Sequence, residues 1–215
     1  MVDAAPIIID RVSVETMLIP IIGTTPLIMH NFSEKARKQM LDGMQGKKKV
    51  KEPKNPQAEY EAAFYRIADE NSGDRDRYGF PVVGFKAATI GGARFYGKSI
   101  SMTALKQFLF YKGLMTKADP QMLVEIHGEP EMREDVVRLS GPSRSPDLRY
   151  RPMFREWSTT LTVTYVKSSI DKSSVLSLIE AGGMGVGVGE WRPEKSGEFG
   201  TYRINPDREV LIINE

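Results

Sequence analysis

The stretch GGMGVGVGEWRPEKSGEFG, residues 182–200, holds seven glycines among its nineteen positions and sets Trp191, Arg192, Pro193 and Lys195 between them. Glycine loses more conformational freedom on folding than any other residue, so such a run lowers stability unless the fold requires it. Three requirements are common: close approach of backbone to a ligand, positive φ angles, or a nest of N–H groups around an anion. A flexible linker is the bland alternative. Linkers lack large side chains, whereas Val186, Val188, Trp191 and Phe199 punctuate this segment. Common phosphate-loop patterns fit poorly. There is no GxxxxGK[ST], and the segment does not open a helix after a strand as a dinucleotide fingerprint does.

Upstream of the loop, Asp171 reads as the N-cap of a helix carrying Val175, Leu176, Leu178 and Ile179, which stops at Gly182 and Gly183. Before it, WSTTLTVTYV (157–166) is the clearest strand, with Trp157, Thr159, Leu161, Val163 and Tyr165 on one face. Downstream, TYRI and EVLII close the chain as strand or hairpin around the turn NPD. At the other end, residues 11–22 alternate as a strand, with Val12, Val14, Thr16 and Leu18 on one face. A turn-like connection over 24–31 leads to Ser33, which caps a helix running to about Gly43. Asn55 and Pro56 open a helix reaching Ile67, FPVVGF is extended, and two more helices cover 86–96 and 101–112, the second capped by Ser101. MLVEIHG is strand-like, and residues 129–156 have no clear period.

Stripped of insertions, this is an α+β protein on the ferredoxin-like (RRM-like) βαββαβ plan. The expected organisation is a single domain over 1–215. Its core draws on 11–44, 120–128 and 157–215, with a helical insertion at 45–119 and a thumb-like excursion at 129–156.

Composition narrows the chemistry. The absence of cysteine excludes disulfides, thiol catalysis and Cys-type zinc sites, and fits a reducing cytoplasm. The two histidines, His30 and His127, are too few for a His-rich metal site. No stretch approaches a membrane span and MVDAAPIIID does not read as a signal peptide, so a cytosolic protein without a membrane partner is expected. The net charge of +2 says little, but its distribution says more. Gly46–Lys54 holds five lysines, Lys47, Lys48 and Lys49 among them, against one glutamate; it reads as a solvated loop or a phosphate-binding patch. Between Arg138 and Arg155, five arginines face Asp147 alone. Beside Tyr150 and Phe154 they suit phosphate and base contacts.

The loop spacing G-x-G-x-G…[KR]-x-G-x-x-G runs through Gly185, Gly187, Gly189, Lys195, Gly197 and Gly200. Placed between the second helix and last strand of a ferredoxin-like fold, it resembles that of the repeat-associated RNA-binding (RAMP) superfamily. That superfamily includes the backbone and crRNA-processing subunits of CRISPR effector complexes. In the backbone subunits a thumb hairpin between the second and third strands wedges between nucleotides, and residues 129–156 stand where it would be. The helical insertion matches no specific member, and the chain is short for a backbone subunit. Its overall style resembles proteins of bacteriophages and prophages.

The resemblance implies a protein that binds single-stranded RNA or DNA along a groove, and the scarcity of acid–base groups makes it a non-catalytic one. It would assemble side by side as a homo-oligomer or filament, in the host cytoplasm if phage-encoded, without cofactor or metal. The candidate contacts are the loop residues Gly185, Gly187, Gly189, Trp191, Arg192, Lys195, Gly197 and Gly200, with Arg144, Arg149, Tyr150, Arg151, Lys47, Lys48 and Lys49. Trp191 either stacks on a base or pins the loop to the sheet as a core residue, and Tyr150 has the same two readings. Two other functions compete. One is a structural or host-interaction protein using the fold for protein contacts. The other is a metal-independent endoribonuclease with His30 as general base, aided by Lys35 or Tyr60. A lone histidine at a turn is also an ordinary structural residue, and no acidic spacing argues for a two-metal nuclease.

Overall fold

The computed structural model describes residues 11–32, 34–46, 53–67, 77–115, 121–138 and 145–213. The first half of the chain holds β1 (Val14–Gly23), β2 (Leu27–Ile28), α1 (Glu34–Met44), α2 (Pro56–Ala62), β3 (Tyr65–Arg66), β4 (Tyr78–Pro81), α3 (Val82–Gly92) and α4 (Met102–Phe108). The second half holds β5 (Leu109–Lys112), β6 (Leu114–Met115), β7 (Met122–Ile126), β8 (Pro130–Arg138), β9 (Pro146–Phe154), β10 (Ser158–Val166), α5 (Lys172–Gly185), β11 (Tyr202–Ile204) and β12 (Leu211–Ile213). The class is α+β, and every strand pair is antiparallel.

The central sheet has the order β11-β1-β10-β5, with β12 also pairing β1. β1 and β10 run together from Val14↔Val166 to Ile22↔Ser158. Period-two alternation puts Met17, Ile19 and Ile21 beside Leu161, Val163 and Tyr165 in one buried cluster, together with Phe85 and Ala88 of α3 and Val175, Leu178 and Ile179 of α5. In β1 the core face is therefore Met17, Ile19 and Ile21, not the face of Val12, Val14, Thr16 and Leu18. Asp171, Asn55 and Ser101 cap their helices, each side chain accepting from the backbone N–H three residues on.

The βαββαβ order runs through β1, α3, β5, β10, α5 and β11, with other segments than expected as its first helix and second strand. The expected second core strand, 120–128, contributes β7 to a separate sheet of order β3-β4-β7-β6. The strand beside β10 is instead β5, where a helix over 101–112 was expected. Four residues of LFYK suffice for a strand because Leu109 and Tyr111 face the core while Phe110 and Lys112 face out. The Tyr111 hydroxyl also meets Thr89 Oγ1 at 2.6 Å. The helix packed against α5 is α3, not α1. α1 leaves Met40, Leu41 and Met44 exposed, whereas α3 buries Val82, Phe85, Ala88 and Ile90.

α5 runs through Gly182 and Gly183 to Gly185 rather than stopping at the first pair. The glycines there serve packing. A Cβ at Gly182 would lie 2.4 Å from the carbonyl oxygen of Ala88, and one at Gly92 would lie 2.6 Å from the Gly182 nitrogen. Two helices cross so closely here that only glycine fits.

The segment expected as a thumb-like excursion forms the long hairpin β8–β9, paired from Pro130↔Phe154 to Arg138↔Pro146, with β2 alongside. Its aperiodic reading follows from its surroundings: most of β8 is exposed or half-buried on both faces. No helix among the described residues is long and apolar enough to cross a membrane.

Candidate nucleic-acid interface

Beyond α5 the glycine-rich loop folds back on itself. Gly187, Gly189 and Gly200 have positive φ angles of 69°, 78° and 68°. The Val188 N–H donates to Gly200 O at 2.9 Å, Gly197 N–H to Arg192 O at 3.1 Å, and Phe199 N–H to Trp191 O at 3.0 Å. The loop is also stitched to residues 25–28: Glu190 N–H donates to Ile28 O at 3.0 Å and Gly200 N–H to Pro26 O at 2.8 Å. Val186 and Val188 are buried beneath it. A nest of free N–H groups for phosphate is therefore not what Gly187, Gly197 and Gly200 provide. Their donors are engaged, and the glycines allow a tight internal turn. Gly185 lies in the last turn of α5, under the ring of Phe95.

What the loop presents is side chains. Trp191 sits in the left-handed region at φ 55° and is 44% exposed, so the core reading of this residue is overturned. Arg192 is turned inward. Its Nη1 donates to Gly189 O at 3.1 Å, and its Nε and Nη2 donate to Glu194 Oε2 at 3.2 and 2.8 Å. This pairing holds the Glu194 carboxyl below the usual carboxylate range. Arg192 thus braces the loop rather than standing free for a phosphate. Lys195 is exposed and makes no ion pair among the described residues.

Alternation along the hairpin puts Arg133, Asp135, Arg149 and Arg151 on one face. Arg151, expected as a phosphate contact, is only 3% exposed. Its Nη1 lies 3.4 Å from Asp135 Oδ2 and 4.0 Å from Glu190 Oε2. Burial pulls the guanidinium pKa down, and the two carboxylates oppose that pull. Asp135 also accepts from Arg133 Nε at 2.8 Å, and the Arg133 guanidinium lies 4.9 Å from the centre of the Phe199 ring. At the other end, His30 Nδ1 is 3.7 Å from Glu190 Oε1. His30 is the first cause, and Arg151 a further one, of the lowered Glu190 pKa. The series His30–Glu190–Arg151–Asp135–Arg133 clamps the glycine-rich loop to the hairpin.

Arg149 is half-buried and stands opposite Asp135 in the register. Tyr150 is half-buried too, and a hydrogen bond to Glu134 raises its pKa. Lys47, Lys48, Lys49, Arg144 and the Ser33 cap lie outside the described residues, as does the Lys35 side chain. Tyr60 packs edge-on against Phe64 at 4.9 Å; the hydroxyl that reaches His30 is that of Tyr65, on the backbone carbonyl at 3.3 Å. His127 bridges Ser158 through its backbone. Two groups of residues escape a reading of the sequence. One is the Arg133–Phe199 stack, which joins positions 66 apart and has no local signal. The other is the exposed series Arg94, Phe95, Tyr96 and Lys98, of which residues 94–96 fall within the helix expected over 86–96.

No protein-family model matches the sequence, and no curated protein matches it. Among solved structures, the crystal structure of Cmr6 from Pyrococcus furiosus is similar, with a TM-score of 0.42 and 9% identity over 91% of this chain and 100% of that one. The cryo-EM structure of the Type III-B Cmr-beta complex bound to cognate target RNA contains another similar chain, with a TM-score of 0.43 and 7% identity over 93% of this chain and 61% of that one. Neither bears on a phage or prophage origin.

Proposed function

We propose that this chain binds single-stranded nucleic acid, RNA or single-stranded DNA, across a surface running from the glycine-rich loop onto hairpin β8–β9, without cutting it. One observation carries the reading. Trp191 is a large aromatic residue held in a strained backbone conformation and left exposed. Such strain persists only where the surroundings over-determine it, and it clusters at ligand sites. A base stacked on an aromatic side chain contributes roughly 1–3 kcal/mol. Lys195 supplies an exposed cation four residues on, without an ion pair among the described residues, and the clamp holds the loop to the hairpin.

The RAMP resemblance supports RNA over DNA and a place among several subunits. Met132, Val136 and Leu148, exposed on the hairpin, support assembly of copies side by side along a strand. If those apolar residues instead serve protein contacts alone, nucleic-acid binding will be absent.

The test uses intrinsic fluorescence. Of the two tryptophans, Trp157 is buried, so quenching by a stacked base reports Trp191. Titration with oligouridylate at low salt should quench the emission, and Trp191→Ala should abolish the quench and weaken binding about 5- to 150-fold, the equivalent of the stacking energy above. Wild-type protein that binds no single strand at low salt refutes the reading.

The endoribonuclease reading has one observation in its favour, the proximity of His30 to Glu190 on the same surface. RNA cleavage in chelator, lost in His30→Ala, would establish it.

A further inference from the structure

At the end of α3 the chain makes one 3₁₀ turn, Ala93–Tyr96, before Gly97 reverses it at φ 59°. Ala93 is buried, but Arg94, Phe95 and Tyr96 are exposed, Phe95 by 56%. Both rings are nevertheless fixed. Phe95 lies over Gly185, where an added Cβ would come 2.2 Å from the ring Cζ. The Tyr96 hydroxyl donates to Ser177 O at 3.2 Å. Gly185 and Ser177 both belong to α5, the helix that delivers the glycine-rich loop. Cations flank the rings: Lys98 is exposed, and Arg94 Nη1 lies 3.8 Å from Glu194 Oε1 on the loop itself.

Packing on α5 fixes the two rings but leaves much of each in water. Protein-docking patches share the aromatics and the arginine but are depleted of lysine, which Lys98 places here. Aromatic faces interleaved with cations are the combination that takes up bases and phosphates together. The Arg94–Glu194 contact is a long, exposed ion pair of the kind that contributes little, so a phosphate can replace the carboxylate.

We propose that Arg94, Phe95, Tyr96 and Lys98 form a second subsite for single-stranded nucleic acid, with a base stacked on Phe95 and phosphates held by Arg94 and Lys98. The subsite rests on the function proposed above. It extends the bound strand from Trp191 past Glu194 to the end of α3.

The experiment compares Phe95→Ala, Phe95→Tyr and the double variant Arg94→Ala, Lys98→Ala with wild type and Trp191→Ala. The probe is an oligouridylate of about twelve nucleotides, within the span that single-strand-binding modules cover. Phe95→Ala should weaken binding by about 5- to 150-fold, and Phe95→Tyr, which keeps the ring over Gly185, should retain it; Tm of each variant separates lost stacking from lost packing. The double variant should lower the slope of log K against log salt by about 1.4, roughly 0.7 for each lost contact. If Trp191→Ala weakens binding while Phe95→Ala and the double variant leave affinity and slope unchanged, the subsite is wrong and the loop reading stands. If wild type binds no single strand, both fall. A change of oligomeric state in Phe95→Ala at unchanged affinity assigns the patch to a second copy and overturns the proposal.

Discussion

The carbonyl oxygen of Val188 lies so close to Gly200 that a Cβ there would stand 1.7 Å from it, while the Val188 N–H donates to Gly200 O at 2.9 Å. That contact explains much of the glycine run: the loop packs backbone on backbone. Gly197 is placed in the same way, with its would-be Cβ 1.8 Å from Trp191 O. Valine at Gly197 thus acts on folding before it acts on binding.

Gly200→Ala should therefore destabilise by about 2–5 kcal/mol, combining a strained φ with a backbone collision. Gly46 has a similar φ of 72° but nothing within 4 Å of an added Cβ, so Gly46→Ala should lose only about 1–2 kcal/mol. Urea unfolding of the two variants makes the comparison. Equal losses would mean that the loop does not pack as described.

The clamp between loop and hairpin gives an ordered pair of outcomes. Asp135→Ala leaves Arg151 buried with only Glu190 at 4.0 Å, and should destabilise by roughly 3–5 kcal/mol. Arg151→Met leaves Asp135 paired with Arg133 and Glu190 near His30, so it should be milder. The double variant should recover part of the Asp135→Ala loss, because the orphaned charge is gone. A double-mutant cycle with no coupling would refute the clamp.

Legibility in the sequence followed the range of the forces involved. Local signals were read correctly: the Asp171, Asn55 and Ser101 caps, and the alternation of 157–166, depend on neighbours within a few residues. The strand LFYK was hidden because four residues of period two fit inside a helical pattern, and Tyr111 finds its partner Thr89 in another element. α3 looked no better a core helix than α1; the Gly92–Gly182 crossing that selects it exists only in three dimensions. At the interface, charge was legible and its availability was not. Arg151 and Lys195 are both cations in suggestive segments, yet one is buried in a clamp and the other is exposed.

That difference sets the salt dependence of binding. Lys195→Ala should lower the slope of log K against log salt by about 0.7, the share of one phosphate contact on a single strand. Arg151→Met, buried as it is, should leave the slope unchanged at salt concentrations where the protein stays folded. Equal slope changes in both variants would mean that Arg151 reaches a phosphate after all.

Acid stability should carry the signature of two carboxylates. The Ser174 backbone N–H, with the Ser174 and Ser173 hydroxyls, holds the Asp171 pKa at about 2, against an ordinary 3.8. Hydrogen bonding by His30, then the charge of Arg151, lowers that of Glu190. A group whose folded pKa is depressed contributes stability above its unfolded pKa and loses it as pH falls through the folded value. The deficit of Asp171→Ala relative to wild type should thus be full above about pH 4 and shrink towards pH 2. Urea midpoints across that range decide it; a constant deficit would mean that the cap carries no charge dependence.

His30 should be dispensable, because no RNA cleavage is expected. Metal-independent cleavage needs a base near the 2′-hydroxyl and an acid near the leaving oxygen. The groups described around His30 supply no such acid. Glu190 is held ionised by His30 and Arg151, so it offers no proton near neutral pH. Arg151 keeps its proton in any ordinary buffer. The Tyr65 hydroxyl is donated to the His30 carbonyl rather than aimed outward. The imidazole instead stands at one end of the clamp, where it helps seat Glu190 against the hairpin. His30→Ala should therefore lower stability modestly and leave incubated RNA intact, as in wild type. Labelled structured RNA, incubated with either protein in chelator, gives the direct measurement. Products ending in a 2′,3′-cyclic phosphate, made by wild type and lost in His30→Ala, would replace the binder with a processing enzyme.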